Sequence, residues 1–524
     1  MYSQTRSRFT SSLVVVALSA CSYEPGADQP PPISPGDFVV FTATKDLATR
    51  FDLYLARLDG AEATRLNGPL VPGGGVAFFS ISPDRRHVAY IADQDTRGLF
   101  ELYTARTDGG GAVKVSGPMV PGGSILAAEW APDGSRIAYS ADQNVDGVFE
   151  LFTSRPDGSD NLRVSGPLVA GGRVGQFDWA PDASRIVYRA SELAPGALEL
   201  FTVRPDGSDH VRVSGPLVPG GNVTAFFWAP DGSRIAYRAD RDADEVFELF
   251  TVRPDGTAEV RASRRLVEGG NVNFFAWAPD GSRLAYLADA LADNRTELFS
   301  ARPDGSEDTL VSALPAAGGV AAFAWAPDGS RILYLADEVA DDVFELFTRD
   351  LGGTGGVRVS DPLSAGGRIL DFSWAPDASR IAYRADPNAN GAPELFTTRP
   401  DGSGHARVSG PLVGGSAGVD AFAWAPDGSR LAYSAEQGRV GTKELFTARS
   451  DGGDSVVVSG PPVPDGGVVD FRWTSDASRL AYRADQLVDG RFELFIAAPG
   501  GGPVSAPISG PLADGGDVFT FATR

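Results

Sequence analysis

The stretch "WAPDGSRIAYRAD", residues 228–240, sets the architecture of the chain because close copies of it recur along almost the whole sequence. The copies begin at eight tryptophans: Trp130, Trp179, Trp228, Trp277, Trp325, Trp374, Trp424 and Trp473. Successive tryptophans are 48 to 50 residues apart, and Ile81 in "FFSISPD" holds the same place 49 residues before the first of them. Self-similarity at a fixed period is the signature of a repeat protein, here with nine units.

Each unit contains four short apolar or alternating runs. In the unit of Trp228 we name them strands A to D: "NVTAFFW" (222–228), "RIAYRA" (234–239), "FELFTVR" (247–253) and "VRAS" (260–263). The turns "APDGS" and "PDGT" favour tight connections between antiparallel neighbours. No run has the length or period of a helix. We therefore predict an all-β fold, in which each unit of about 49 residues is a four-stranded antiparallel blade of a β-propeller.

The two ends of the chain complement each other. "DFVVFTA" (37–43) matches strand B and "FDLYLARLDG" (51–60) matches strand C, whereas "DVFTFATR" (517–524) matches strand A. Three N-terminal strands and one C-terminal strand would complete a tenth blade, and a closed ring would protect the sheet edges. We predict one ring of about ten blades over residues 37–524, with two smaller rings as the alternative.

The N-terminal region predicts export. Arg6 and Arg8 precede the apolar run 13–18, which is too short to span a bilayer, so we assign residues 1–20 to a signal peptide. "LSAC" (18–21) resembles the lipobox of bacterial lipoproteins. That resemblance implies lipidation of Cys21, and Ser22 after it implies the outer membrane; cleavage that leaves a free thiol is the alternative. Residues 21–36 read as a flexible, proline-rich tether.

The net charge restricts the partners. With 46 basic and 68 acidic residues the chain carries a formal charge of −22. Nucleic acid and anionic membrane surfaces are therefore not expected partners, and membrane contact is expected only through the lipid. We expect a monomer that binds an envelope protein or peptide, although an acidic surface also serves solubility alone.

"WAPDGSRIAY" (228–237) followed by "FELFTVRPDGT" (247–257) resembles the WD-like repeat of TolB-type propellers. The shared pattern is an aromatic, a small residue, Pro-Asp-Gly, strand B, and a strand C that ends before Asp-Gly. The resemblance covers nearly all of residues 37–524 and implies the propeller fold. This chain has a longer unit and more blades than TolB itself.

The recurring residues have structural explanations. We expect the tryptophans to pack between blades. Asp133 and Asp231 should bind their own turns and pair with Arg136 and Arg234, three residues later. The glutamates of strand C are expected to make structural hydrogen bonds; they include Glu150, Glu248, Glu345 and Glu493.

The binding face is expected where the loops vary. Antiparallel strands place the A–B and C–D turns on one face of the ring and the B–C and D–A loops on the other. The B–C loops differ from blade to blade and are acidic, so we predict ligand binding there. The candidate residues are Asp95, Asp142, Asp146, Asp240, Asp242, Asp244, Asp289, Asp293, Asp337, Asp341, Asp485 and Asp489.

Metal binding and catalysis have little support in the sequence. "DRDAD" (240–244) suggests a Ca²⁺ loop, but Glu245 and Thr251 stand where that loop needs glycine and glutamate. His87, His210 and His405 are too few for a His-rich centre. We expect no cofactor and no catalytic residues, and we predict a lipid-anchored, TolB-like binding scaffold. The alternative is a glycan-binding or glycan-processing envelope propeller that uses acidic residues, with or without a divalent metal.

Overall fold

The computed structural model describes residues 38–45, 50–58, 62–316, 318–353, 355–415, 417–502 and 506–523. These residues belong to one compact unit, residues 36–524, and their regular elements are 39 β-strands. In these ranges no helix is long and apolar enough to cross a membrane. The predicted signal peptide, Cys21 and the tether lie outside the described residues.

The strands fall into four classes by their position in the repeat. Strand A of blades 1 to 10 is β4 (Val76–Ile81), β8 (Ile125–Trp130), β12 (Val174–Trp179), β16 (Val223–Trp228), β20 (Val272–Trp277), β24 (Val320–Trp325), β28 (Arg368–Trp374), β32 (Val419–Trp424), β36 (Val468–Trp473) and β39 (Val518–Thr523). Strand B is β5 (His87–Ala92), β9 (Ile137–Ala141), β13 (Ile186–Ala190), β17 (Ile235–Ala239), β21 (Leu284–Ala288), β25 (Arg331–Ala336), β29 (Ile381–Asp386), β33 (Arg430–Ala435), β37 (Leu480–Ala484) and β1 (Phe38–Ala43). Strand C is β6 (Glu101–Arg106), β10 (Glu150–Ser154), β14 (Glu199–Val203), β18 (Glu248–Val252), β22 (Glu297–Ala301), β26 (Glu345–Asp350), β30 (Glu394–Thr398), β34 (Glu444–Arg449), β38 (Glu493–Ala497) and β2 (Asp52–Arg57). Strand D is β7 (Val113–Lys114), β11 (Leu162–Arg163), β15 (Val211–Arg212), β19 (Val260–Arg261), β23 (Thr309–Leu310), β27 (Val357–Arg358), β31 (Ala406–Arg407), β35 (Val456–Val457) and, in blade 10, β3 (Thr64–Arg65).

Each blade is an antiparallel sheet in the order A-B-C-D. Blade 9 has three described strands, and its expected strand D adjoins residues 503–505, which are not described. Blade 10 has the order β3-β2-β1-β39, so the last strand of the chain completes the sheet begun by the first three. The predicted closure of the ring is confirmed.

The hydrophobic core lies between the blades. Strands B and C are buried along most of their length because each sheet is covered on both faces by its neighbours. Between blades 3 and 4, for example, Val187 and Leu200 pack with Phe226 and Ile235. Ten such clusters occur among the described residues, and each joins two consecutive blades, including blade 9 to blade 10 and blade 10 to blade 1. The blades therefore form one ring, which excludes the alternative of two smaller rings.

Strand A is the innermost strand of each blade. The Trp228 indole Nε1 donates to the Asp178 carbonyl, 3.4 Å away on strand A of the preceding blade. The same contact links other neighbouring A strands, so these strands converge around a central channel. Side chains in the middle of strand A, such as Leu126 and Phe519, are exposed to this channel. The two-residue D strands form the outer rim.

Candidate functional site

Most B–C loops begin with a buried acid that fastens the loop. In blade 9 the Asp485 carboxylate accepts hydrogen bonds from the backbone N–H of Gly467 (2.6 Å), in the D–A loop, and of Gly490 (3.0 Å), in its own loop. In blade 1, Asp93 accepts the equivalent bonds from Gly75 (2.7 Å) and Gly98 (2.9 Å). The acid therefore joins the B–C and D–A loops into one fixed surface.

Five of the predicted binding residues occupy this fastening position. They are Asp142, Asp240, Asp289, Asp337 and Asp485, and their exposed fractions are only 2–8%. All five carboxylates already accept backbone hydrogen bonds. A ligand would have to open the loop to reach them, so their geometry suits a structural role. Each of these aspartates directly follows the alanine that ends strand B. A residue that recurs at the same position in many units, like the repeated tryptophan, is typical of a structural role, so the sequence contained this information.

The other seven candidates lie at the exposed tips of the B–C loops. They are Asp95, Asp146, Asp242, Asp244, Asp293, Asp341 and Asp489. Asp95 is bonded to Lys114 Nζ at 2.8 Å, and Asp242 lies 3.4 Å from Arg241 Nε. The structure thus places these carboxylates on one face of the ring, although it does not gather them into a single cluster. Ligand binding by the candidate aspartates stays a prediction.

Exposed aliphatic side chains accompany these carboxylates, and sequence reasoning missed them. They are Val145, Leu193, Leu291, Val339, Val440, Leu487 and Val488, with exposed fractions of 47–63%. In blades 2, 5, 6 and 9 the aliphatic residue precedes the exposed aspartate by one or two positions. The sequence feature that could have identified them is a large apolar residue inside an otherwise acidic loop. The B–C face therefore presents aliphatic and anionic side chains side by side.

The central channel contains a second acidic feature. Glu129 and Asp178 occupy the same position on the neighbouring strands β8 and β12. The surrounding channel wall desolvates the Glu129 carboxylate even though the side chain is exposed to the channel, and this desolvation together with the charge of Asp178 raises its pKa to about 8. Burial raises the pKa of Asp178 to about 6, against the opposing effect of a hydrogen bond from the Trp179 backbone. This shift favours the protonated form of Glu129, which is able to donate a hydrogen bond.

An apolar cleft opens beside this part of the channel wall. It has a volume of about 460 Å³ and lies between blades 1 and 2. Phe78 and Leu126 of the two A strands line it, together with Ile91 and Phe100. The cleft can accept an apolar group that enters the channel.

The described residues contain no group of three or more His, Cys, Asp or Glu side chains placed to hold a metal ion. His210 Nε2 lies 2.7 Å from the Tyr188 hydroxyl and His405 Nε2 lies 2.7 Å from the Tyr383 hydroxyl, so each contacts a buried tyrosine. In the loop that resembles a Ca²⁺ site, Asp240 is bonded to the backbone of Asn222 and Glu245.

The glutamates that begin strand C are held by neighbouring arginines. Glu150 accepts from Arg163 Nη1, and Glu248 from Arg261 Nη1, both on strand D and both at 2.7 Å. Glu345 lies 3.3 Å from Arg358 Nη1, and Glu493 lies 3.7 Å from Arg491 Nη2 of its own B–C loop. These ion pairs tie neighbouring segments of one blade together.

The expected Asp133–Arg136 pair is not formed. Asp133 Oδ1 accepts from the Ser135 backbone at 2.9 Å, as expected for a turn. Arg136 instead donates from Nη2 to Thr153 Oγ1 of strand C (3.2 Å) and to the Asp160 carbonyl of the C–D turn (2.7 Å). Arg234 likewise donates to the Ala258 carbonyl (3.1 Å), because it reaches toward the C–D turn and not back to its own turn.

These features define a closed, ten-bladed β-propeller with a channel and two unlike faces. No family model and no curated protein matches the sequence. Among solved structures, dipeptidyl peptidase 4 from Porphyromonas gingivalis matches 77% of this chain and 64% of its own, with 11% identity and a TM-score of 0.50. A prolyl endopeptidase matches 72% of this chain at 15% identity and a TM-score of 0.39, and this chain spans about half (54%) of its length. TolB from Acinetobacter baumannii matches 51% of this chain and 62% of its own, at 14% identity and a TM-score of 0.28. At these identities the likeness concerns the fold alone.

Proposed function

We propose that this propeller is a non-enzymatic docking scaffold of the cell envelope, anchored through a lipid on Cys21, which binds a cationic protein or peptide. The observation that carries the proposal is the pairing of exposed aliphatic side chains with carboxylates on the B–C loops. Leu291 with Asp293 and Leu487 with Asp489 are two such pairs. An apolar contact flanked by anionic groups suits a partner that carries aliphatic or aromatic side chains between lysines and arginines.

The fastened loops favour such binding. Asp485 and its equivalents hold the B–C and D–A loops together before any partner arrives. A surface that is already ordered loses less conformational entropy on association, so more of the contact energy appears as affinity. The formal charge of −22 also attracts cationic partners over long distances at low salt. A salt-sensitive association rate is the expected consequence.

Cross-linking in intact native envelopes tests the proposal. Lysine-to-carboxylate reagents should join a protein partner to the loop tips near Asp293 and Asp489, and mass spectrometry would locate the bonds. A variant with Leu291→Ser, Asp293→Asn, Leu487→Ser and Asp489→Asn should lose most of this product. Leu162→Ser is the matched control, since Leu162 is 39% exposed but lies on the rim strand β11. Equal cross-linking in both variants, or cross-links spread evenly over both faces, would overturn the assignment of the face.

The anchor has its own test. The wild-type protein should fractionate with membranes and partition into detergent, whereas Cys21→Ala should remain in the aqueous phase. Detergent partitioning by both proteins would contradict lipidation of Cys21 and leave the docking face to be judged separately.

A second candidate function, glycan binding or processing, is supported by the channel pair Glu129 and Asp178. A carboxyl group that keeps its proton at neutral pH can act as a general acid beside an ionised carboxylate. Envelope polysaccharides would be incubated with the protein with and without divalent ions, and released reducing ends measured. Turnover abolished by Glu129→Gln would favour this function, and the absence of turnover would favour docking.

A further inference from the structure

The A–B and C–D face contains arginine pairs that are joined by a carboxylate. In blade 3, Arg185 comes from the A–B turn and Arg204 from the end of strand C. Asp209 of the C–D turn lies between them, with its Oδ2 2.6 Å from Arg185 Nη1 and 3.4 Å from Arg204 Nε. One carboxylate therefore bridges two guanidinium groups.

The same bridge recurs in blades 2 and 5. Glu307 of blade 5 lies 2.9 Å from Arg283 Nη1 and 2.8 Å from Arg302 Nη2. In blade 2, Asp160 Oδ2 lies 3.7 Å from Arg136 Nη1 and 2.7 Å from Arg155 Nε. In three blades, therefore, the two arginines share one carboxylate group as their partner.

Blade 4 keeps the two arginines and lacks the acid. Ala258 stands at the position of Asp209, and Arg234 and Arg253 stand at the positions of the two arginines. Arg234 Nη1 donates to Thr251 Oγ1 (3.0 Å) and to the Ala258 carbonyl (3.1 Å), so its guanidinium is placed as in the other blades. Among the described residues neither arginine of blade 4 forms an ion pair. Burial and the charge of Arg253 lower the pKa of Arg234.

Blade 7 also lacks the acid and has glycine in its place. Arg380, which is only 8% exposed, donates from Nη2 to the Gly404 carbonyl at 2.6 Å. A Cβ placed on Gly404 would lie 3.6 Å from both Arg380 Nη1 and Arg399 Nη1. The two guanidinium groups therefore flank the space that an acidic side chain fills in blade 3. In the described part of the chain, neither of them has a carboxylate partner.

The acid of the following blade does not replace the missing one. Asp304 of blade 5 acts on Arg234 of blade 4 through its charge, just as Asp206 of blade 3 acts on Arg136 of blade 2. Arg136 has a bridging acid in addition to Asp206, so the acid of the following blade is not a substitute for the bridging acid. A cleft of about 460 Å³ adjoins Arg234 on the side of blade 5, where Ser282, Arg283, Arg302, Pro303 and Asp304 complete its lining.

We infer that blades 4 and 7 each bind a carboxylate group of a small acidic ligand, between Arg234 and Arg253 in blade 4 and between Arg380 and Arg399 in blade 7. Guanidinium pairs recognise such oxyanions through charge-assisted hydrogen bonds. The carboxylate can come from a free organic acid or from an acidic peptide side chain. These sites lie on the face opposite the B–C loops, so they do not depend on the proposed docking function.

The test fills the sites with the acid found in the other blades. Ala258 and Gly404 have φ values of 52° and 64°, and Asp160 and Asp209 adopt 52° and 55°, so aspartate fits both positions. Thermal unfolding of the full chain would be followed against sodium acetate, with sodium chloride at equal ionic strength as the reference. The wild-type Tm should rise saturably with acetate beyond the chloride effect. The Ala258→Asp, Gly404→Asp variant should start from a higher Tm and lose that additional rise.

Two further variants separate site occupancy from general salt effects. Asp209→Ala in blade 3 should create a third site and enlarge the acetate response. Arg253→Gln with Arg399→Gln, at exposed positions, should weaken apparent acetate binding at least about tenfold. A blocked tetraglutamate peptide would be titrated in the same way to distinguish the two sources of the carboxylate. Tighter binding of the peptide than of acetate would identify an acidic peptide as the ligand, and equal binding per carboxylate would identify a free organic acid. Identical acetate responses in the wild type and the filled variant, or no response beyond chloride, would overturn the inference.

Discussion

Phe41 of β1 pairs directly with Phe521 of β39, although 480 positions of sequence separate them. Both side chains are buried in the cluster that joins blade 9 to blade 10. The pairing covers the channel-side edge of the first strand and supplies the innermost strand of the last blade. The ring is therefore closed by hydrogen bonds between the two ends of the chain, and its stability depends on a strand of six residues.

Deletion of residues 516–524 should open the ring. It removes the β39 partner of β1 and the buried side chains of Val518 and Phe521. An exposed strand edge and an uncovered core favour unfolding or exchange of strands between molecules. We expect a clear fall in Tm or a shift to dimer, measured by thermal unfolding and by light scattering after size exclusion. A monomer with the wild-type Tm would contradict closure by β39.

The two aspartates of one loop should differ sharply in their contribution to stability. Asp485→Ala leaves the backbone N–H groups of Gly467 and Gly490 without their acceptor and should cost about 2–3 kcal/mol. Asp489→Ala removes an exposed carboxylate of the same loop and should change stability by less than about 0.5 kcal/mol. Chemical denaturation measures both values. Equal effects would show that the buried aspartate is not a fastening residue.

Two neighbouring tryptophans provide a second internal comparison. Trp473 Nε1 donates to the Ala423 carbonyl at 3.2 Å, whereas the buried Nε1 of Trp424 has no acceptor among the described residues. Trp473→Phe should therefore destabilise the protein by about 1 kcal/mol more than Trp424→Phe, since only the first loses a hydrogen bond. The denaturation midpoints of the two single variants measure this difference. A larger loss of stability in Trp424→Phe than in Trp473→Phe would show that the indole hydrogen bond does not contribute as proposed.

Much of this fold could be predicted because the repeat presents the same evidence nine times. In the unit of Trp228 the predicted strands agree with β16 to β19 to within two residues at each end. The terminal strands could also be placed, because "DFVVFTA" and "DVFTFATR" match two different strands of one unit.

The candidate site was less predictable, since side-chain burial depends on contacts between loops. Asp485 and Asp489 lie four positions apart in the same acidic loop, yet one bonds to the D–A loop and the other faces solvent. The predicted direction of Arg136 was also wrong, because its partner Asp160 lies 24 residues away in the next turn. Spacing within a single loop or turn does not show either contact, although the regular place of Asp485 after strand B indicated a structural residue.

Glu129→Gln should change the pH dependence of stability. The folded pKa of Glu129, about 8, lies above its ordinary value of 4.5, so the native state binds the extra proton between these values. Stability from this group therefore falls as pH rises through that window and is fully retained below it. Glutamine carries no charge, so the variant should match the wild type near pH 4 and be more stable above pH 8. Water in the channel screens the charge, which reduces the expected gain to the order of 1 kcal/mol. Urea denaturation across this pH range measures the difference, with Asp146→Asn as a control for net charge. Parallel curves for the wild type and the Glu129→Gln variant at all pH values would show that Glu129 titrates normally.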